Sequence, residues 1–170
     1  RVPDELRDLP QAWDEAEHLL SLNADYVLFG TGEGSASQKY LSRTDTQFSN
    51  LTWGEDFQSV FTNLKNLGED IGEQDRARRL IQSIKDKLTS LAKAPHVEPP
   101  KILYLSRSGG SAGPGTFVDA AITATGGQNI LEKPGWFTPD TEYLISIKPA
   151  LIVTSYFDDG YESVNAVPLR

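Results

Sequence analysis

Two stretches of this chain carry one pattern, and any fold it adopts must accommodate both. The first is Ala16-Glu17-His18-Leu19-Leu20-Ser21-Leu22-Asn23-Ala24-Asp25-Tyr26-Val27-Leu28. The second is Thr141-Glu142-Tyr143-Leu144-Ile145-Ser146-Ile147-Lys148-Pro149-Ala150-Leu151-Ile152-Val153. Each sets a glutamate early in a helix, follows it with Leu-x-Ser-x, turns, and enters a short apolar run. Glu17 precedes Leu28 by the same interval as Glu142 precedes Val153. Coincidence between helix-turn-strand units is the competing reading. A true repeat implies two α/β lobes, each presenting one glutamate near a helix start.

Between the repeats lies the longest helical pattern. From Glu73 to Ala94, the residues Ala77, Leu80, Ile81, Ile84, Leu88, Leu91 and Ala92 form one apolar stripe, with Arg78, Arg79, Lys85 and Asp86 opposite. Such a helix spans roughly 30 Å, the width of a small domain. Pro95, Pro99 and Pro100 stop it. An earlier helix carries Phe57, Val60, Phe61, Leu64 and Leu67 at helical spacing; Thr52 is suited to cap it and Gly68 to end it. Leu9 to Leu22 reads as a helix with Pro10 in its first turn. Buried strands are expected at Tyr26–Phe29, Ile102–Leu105 and Leu151–Ser155, and a short one at Asn129–Leu131. Residues 30–52 read as a loop with a turn of helix near Gln38–Ser42. Thr116–Thr125 is a helix closed by Gly126-Gly127. Thr138 and Pro139 open another that runs to about Ile147. Strands alternating with helices mean parallel sheets with helices on their faces.

Composition excludes several functions. The net charge of −8 disfavours nucleic acid as a partner. No apolar run approaches the roughly 20 residues that cross a bilayer. With no cysteine, zinc fingers, disulfides, cysteine nucleophiles and iron–sulfur clusters are excluded, which argues against a metallocluster reductase subunit. Gly110 and Gly115 have phosphate-loop spacing, but Thr116 stands where the lysine belongs. Backbone donors near Thr116 remain suited to an anionic group. Gly-x-Ser-x-Gly is absent, and Asp158-Asp159 before Gly160 reads as a turn, not a catalytic pair. His18 and His96 are far apart in sequence and lack a nearby third ligand, so no metal site is expected. No catalytic residues emerge, and the chain is not expected to be an enzyme.

The order of features resembles the periplasmic binding proteins for ferric siderophores, haem and cobalamin. The family's glutamate, apolar helix, Lys-Pro-Asp and buried strand occur twice, with Asn23-Ala24-Asp25 in one copy and Lys148-Pro149-Ala150 in the other. Leu67-Gly68, Gly72 and Arg76-Ala77 match the opening of the family's long helix. The most specific match is Gly113-Pro114-Gly115-Thr116-Phe117-Val118-Asp119, followed by Gly126-Gly127-Gln128-Asn129-Ile130. The resemblance implies an α/β fold with two Rossmann-like lobes, their parallel sheets connected by one long α-helix. It implies an N-terminal lobe over 1–68, the connecting helix and linker over 69–98, and a C-terminal lobe over 99–170. Both lobes are expected to be incomplete in this chain. The Arg1-Val2-Pro3 start reads as a processed or truncated piece, with any signal or lipid anchor outside it.

The function so implied is capture, without chemistry, by the extracytoplasmic solute-binding component of an ABC transporter. It would work in the periplasm or on the outer face of the cytoplasmic membrane, with no cofactor of its own and no membrane insertion by this chain. A ferric siderophore is the expected ligand, held in the interlobe cleft; haem and cobalamin are the alternatives, as is an interaction protein without ligand. Open α/β sheets bind at the carboxyl ends of their strands. The candidates there are Phe29, Gly30, Tyr40, Trp53, Arg107, Ser108, Trp136, Tyr156 and Phe157. Aromatic rings suit a broad planar or catecholate ligand, with core packing the competing reading for Phe29 and Phe157. Arg107 presents a donor fork suited to carboxylate or catecholate oxygens. In the resembled family a glutamate on each lobe docks onto the permease, which assigns Glu17 and Glu142; acidic residues favoured in a helix's first turns are the competing reading.

Overall fold

The computed structural model describes residues 16–92 and 98–155. Contacts divide the chain into two compact units, Arg1–Trp53 and Gly54–Arg170.

In the first unit, helix α1 (Ala16–Ser21) precedes strand β1 (Tyr26–Phe29), helix α2 (Ser35–Leu41) and strand β2 (Gln47–Asn50). The strands are parallel, with Tyr26 opposite Gln47 and Phe29 opposite Asn50. Leu19, Val27, Phe29 and Leu41 form the core, with Phe48 packed against it. Residues 30–52 are therefore not mainly loop. Ser37 and Leu41, four apart, are both buried and seat α2, which starts after Gly34 in the left-handed conformation (φ 75°). Strand β2 contributes only Phe48 to the core, so no apolar run announced it.

In the second unit, α3 (Phe57–Asp70) and α4 (Gln74–Ala92) pack on each other. At 19 residues α4 is about 28 Å long. Two expectations at α3 fail. The cap is Asp56, not Thr52: its carboxylate accepts the Ser59 backbone N–H at 2.7 Å while the Ser59 hydroxyl accepts the Asp56 N–H at 3.1 Å. Gly68 does not end the helix. It lies inside it, where a side chain would collide with Ala77 of α4, and the helix stops two residues later before Gly72 at φ 76°. Phe57 meets Phe117 edge-on at 5.0 Å, tying α3 to the rest of the unit.

There, β3 (Lys101–Leu105) is followed by β4 (Ser111–Ala112), α5 (Phe117–Ala124), β5 (Gln128–Asn129), β6 (Trp136–Phe137), α6 (Thr141–Ser146) and β7 (Leu151–Thr154). Strand β3 is central, between β5 and β7, and all three run parallel. One face buries Leu103 and Leu105 against Leu131 and Leu144. On the other, Gly127 lets Ile102 approach, since a Cβ there would overlap its side chain. The α6 cap is Asp140, whose carboxylate accepts the Tyr143 N–H at 2.7 Å, so the expected cap at Thr138 is two residues too early. The β4–β6 ribbon had no sequence signature, because two-residue strands have no periodicity to read.

The motif Gly113–Asp119 is structural. A Cβ on Gly113 would overlap the Lys133 carbonyl oxygen. The Thr116 hydroxyl donates to the Gly113 carbonyl at 2.8 Å and accepts the Asp119 N–H at 3.2 Å. Asn129 donates to the Ala112 carbonyl and to Asp119, and accepts the Leu131 N–H.

Gly113→Ala is expected to destabilise the protein by about 1–3 kcal/mol, as overpacking does, read from urea unfolding. The Asp56 carboxyl is held below the ordinary aspartate range, first by the Ser59 backbone N–H and then by the Ser59 side chain. Its stabilisation is full above about pH 4, the unfolded value, and is lost as pH falls through the lowered folded value. Melting curves of the parent and Asp56→Ala should therefore differ near neutrality and converge in acid.

Candidate functional site

Parallel pairing sends every strand exit of a sheet to one edge. In the second unit that edge carries the turn after β3, the end of β7 and an indole. The β3 exit is a tight loop. The Ser106 N–H donates to the Gly110 carbonyl at 2.7 Å, and the Gly109 N–H to the Ser106 carbonyl at 3.0 Å. Gly109 sits at φ 83°, a conformation open to glycine. The loop lifts Arg107 and Ser108 into solvent, and the Ser106 and Ser108 hydroxyls lie 3.1 Å apart.

Trp136 is placed by its strand. Residues alternate across a ribbon, so Phe137 turns into the core while Trp136 turns out. It is held opposite Ala112 in β4, and the Gly113 N–H donates to the Gly135 carbonyl at 2.9 Å beside it. The indole is 53% exposed and meets the Tyr104 ring edge-on at 6.0 Å. The Tyr104 hydroxyl shares a hydrogen bond of 2.9 Å with Ser155, the residue after β7. Sequence reasoning missed Tyr104 and this use of Ser155. The available signal was a single phenol in the otherwise aliphatic strand Ile102–Leu105, whose hydroxyl needs a partner.

In the first unit, the exits of β1 and β2 are clamped together. The Leu51 N–H donates to the Phe29 carbonyl at 3.0 Å, and the Thr31 hydroxyl to the Leu51 carbonyl at 2.9 Å. Gln38 and Asn50 exchange amide hydrogen bonds of 2.7 and 3.1 Å. Phe29 is a core residue, 6% exposed, with Phe48 edge-on at 6.0 Å. Gly30 is half-buried, and a Cβ there would collide with the Glu33 carboxylate. Trp53 is exposed just beyond β2. Tyr40 is exposed too, its ring 6.0 Å from the Arg43 guanidinium.

Of the candidates, the structure therefore sets Arg107, Ser108 and Trp136 on the second unit's exit edge, and Gly30 and Trp53 on exits of the first. Tyr156 and Phe157 lie outside the described residues, as does His96. Glu17 and Glu142 are exposed in the first turns of α1 and α6. At the start of α5 Thr116 is buried, its hydroxyl is engaged at both its donor and its acceptor, and Asp119 stands in the first turn. Among the described residues no group of three or more His, Asp or Glu is placed to hold a metal ion. No helix among them is long and apolar enough to cross a membrane.

The sequence profile of the periplasmic binding protein family matches residues 10–166, and the chain belongs to that family. It is 24% identical to an ABC transporter substrate-binding lipoprotein of Bacillus subtilis (strain 168), over 97% of this chain and 60% of that protein. The chain thus spans about 60% of the length of this curated relative. Among solved structures, it superposes on the periplasmic heme-binding protein HutB of Vibrio cholerae with a TM-score of 0.79 at 21% identity, covering 91% of this chain and 65% of that one. A possible iron-binding, periplasmic solute-binding protein from Staphylococcus epidermidis gives a TM-score of 0.73 at 16% identity, covering 91% and 68%. These likenesses show a common fold: helices on parallel sheets, as the sequence pattern implied.

In a variant with Trp13 and Trp53 replaced by Phe, Trp136 should report a solvent-exposed indole held against Tyr104. Tyr104→Ala is expected to raise its acrylamide quenching and lower its fluorescence anisotropy, whereas Tyr104→Phe, which keeps the ring, should change both little.

Proposed function

We propose that this periplasmic binding protein is the solute-capturing component of an ABC importer, working outside the cytoplasmic membrane and handing an iron complex to its permease. The observation that carries the reading is the exit edge of the second sheet. A broad indole stands there more than half exposed, braced by Tyr104, beside strand exits that also present Arg107 and Ser108. An exposed tryptophan is costly to solvate and gains most by burying its area against another flat, conjugated surface. A braced ring loses little freedom when it does so. Arg107 supplies charge and a planar donor fork for carboxylates or catecholate oxygens.

Such a site takes an iron chelate already formed. Ferric catecholates and haem both present planar aromatic surface with peripheral oxygens, and cobalamin presents a corrin ring with peripheral amides. The heme-binding and iron-binding names of the fold relatives support an iron-bearing ligand. Nothing in the proposed site requires bond making, so the protein acts by binding and release. Glu17 and Glu142 are the proposed contacts to the permease, one from each copy of the repeat, and the lipoprotein relative supports an extracytoplasmic place of work.

Titration of the full-length protein with hemin, a ferric catecholate and cobalamin, followed by tryptophan quenching, should give saturation with at least one. Trp136→Ala should weaken that ligand about tenfold, the equivalent of about 1.4 kcal/mol. No saturation with any of the three would remove the reading. Reversing Glu17 and Glu142 to Lys together should abolish uptake into permease-containing vesicles while leaving ligand affinity unchanged; undiminished uptake would remove the docking role.

A further inference from the structure

The two glutamates share a companion. Three residues after Glu17 in α1 comes Leu20, and three residues after Glu142 in α6 comes Ile145. That spacing puts each pair on one helix face. Both glutamates are exposed, Leu20 is 39% exposed and Ile145 64%. The rotation of each helix is fixed from the other side, where Leu19 is 8% exposed and Leu144 3%. The likeness extends to the helix ends. The Ser21 hydroxyl donates to the His18 carbonyl at 2.7 Å, and the Ser146 hydroxyl donates to the Tyr143 carbonyl at 2.7 Å. Neither Leu20 nor Ile145 belongs to the core cluster of its unit.

One exposed aliphatic residue is ordinary. Here an exposed aliphatic residue recurs at the same offset from a glutamate in two units with separate cores. Polar residues would solvate both positions better. Charge indicates what covers them. Among the described residues neither glutamate forms an ion pair, and the chain as a whole is acidic at −8. A covering surface must therefore be cationic opposite each carboxylate and apolar one helical turn away, and it must offer this arrangement twice.

We propose that the docking element of each unit is the pair, Glu17 with Leu20 and Glu142 with Ile145, and that its occupant is the permease. This rests on the permease-docking reading of the glutamates and adds a second energetic component to it. A lone exposed ion pair is weak and screened by salt. An aliphatic side chain seated in a recess beside it expels water and strengthens the pair. The two parts then divide the kinetics: the carboxylates steer association, and the aliphatic residues slow dissociation.

The test is surface plasmon resonance of the full-length protein, with and without hemin, on its permease in nanodiscs at several salt concentrations. Leu20→Ser with Ile145→Ser should raise the dissociation rate about tenfold or more while the association rate and its salt dependence stay within about twofold. Ligand affinity should be unchanged. Leu20→Met with Ile145→Leu, which stay apolar, should keep the parent's dissociation rate. Should the double serine variant lose melting temperature, Ile145→Ser alone, at the more exposed position, carries the test with an expected threefold or greater rise. An unchanged dissociation rate in variants that fold would overturn the proposal. Reversal of Glu17 and Glu142 separates the two claims. If it abolishes binding while the serine variants dissociate like the parent, only the paired element falls. If it leaves binding intact, the docking reading falls and the pair with it.

Discussion

The burial of one leucine per short helix orients much of this molecule. Helices α1 and α6 have six residues each, too few to be stable on their own. They hold because Leu19 packs with Val27, Phe29 and Leu41, and Leu144 with Leu103, Leu105 and Leu131. Each leucine fixes the rotation of its helix, and so fixes which residues meet solvent. The outward glutamates are a consequence of that inward contact. So is the entry into the following strand, since Ser21 lies as far before β1 as Ser146 lies before β7.

Parallel pairing is the second constraint. It gathers the ends of β3, β5 and β7 at one edge and those of β1 and β2 at another. The loops leaving those edges are held by their own bonds, Ser106 to Gly110 in one case and Gln38 to Asn50 in the other. Glycines act where backbone or helix must come close: Gly113 under the Lys133 carbonyl, Gly127 over Ile102, Gly68 against Ala77. The glycine-rich motif that most specifically marked the family thus packs the scaffold through Gly113 and Thr116, both buried.

What could be read in the sequence follows from signal length. The repeat was legible because a glutamate, a buried leucine, a serine and an apolar strand recur at fixed offsets; the helix positions behave alike in the structure, whereas β1 buries Val27 and Phe29 and β7 stays partly exposed. Helix α4 was legible because nineteen residues give several turns of one stripe. Strand β2 was hidden because Phe48 is its only residue packed on the core, and β4 and β6 because two residues have no period. The caps were misread at Thr52 and Thr138 because other Ser, Thr and Asp residues nearby compete; hydrogen-bond geometry selected Asp56 and Asp140. Of the candidate site, Trp136, Arg107 and Ser108 were legible as polar or aromatic residues beside strand exits. Tyr104 was not, because a tyrosine inside a buried strand looks like core until its hydroxyl partner, Ser155, is seen 51 residues away.

Two surfaces are proposed for two tasks: the exit edge of the second sheet for the ligand, and the outward faces of α1 and α6 for the permease. Hydrogen–deuterium exchange of the full-length protein, with and without a saturating iron chelate, tests that division most directly. Slowed exchange should appear at residues 106–110 and 135–137, while 16–21 and 141–146 exchange as in the free protein. Protection concentrated on α1 and α6, with the strand exits unaffected, would contradict it.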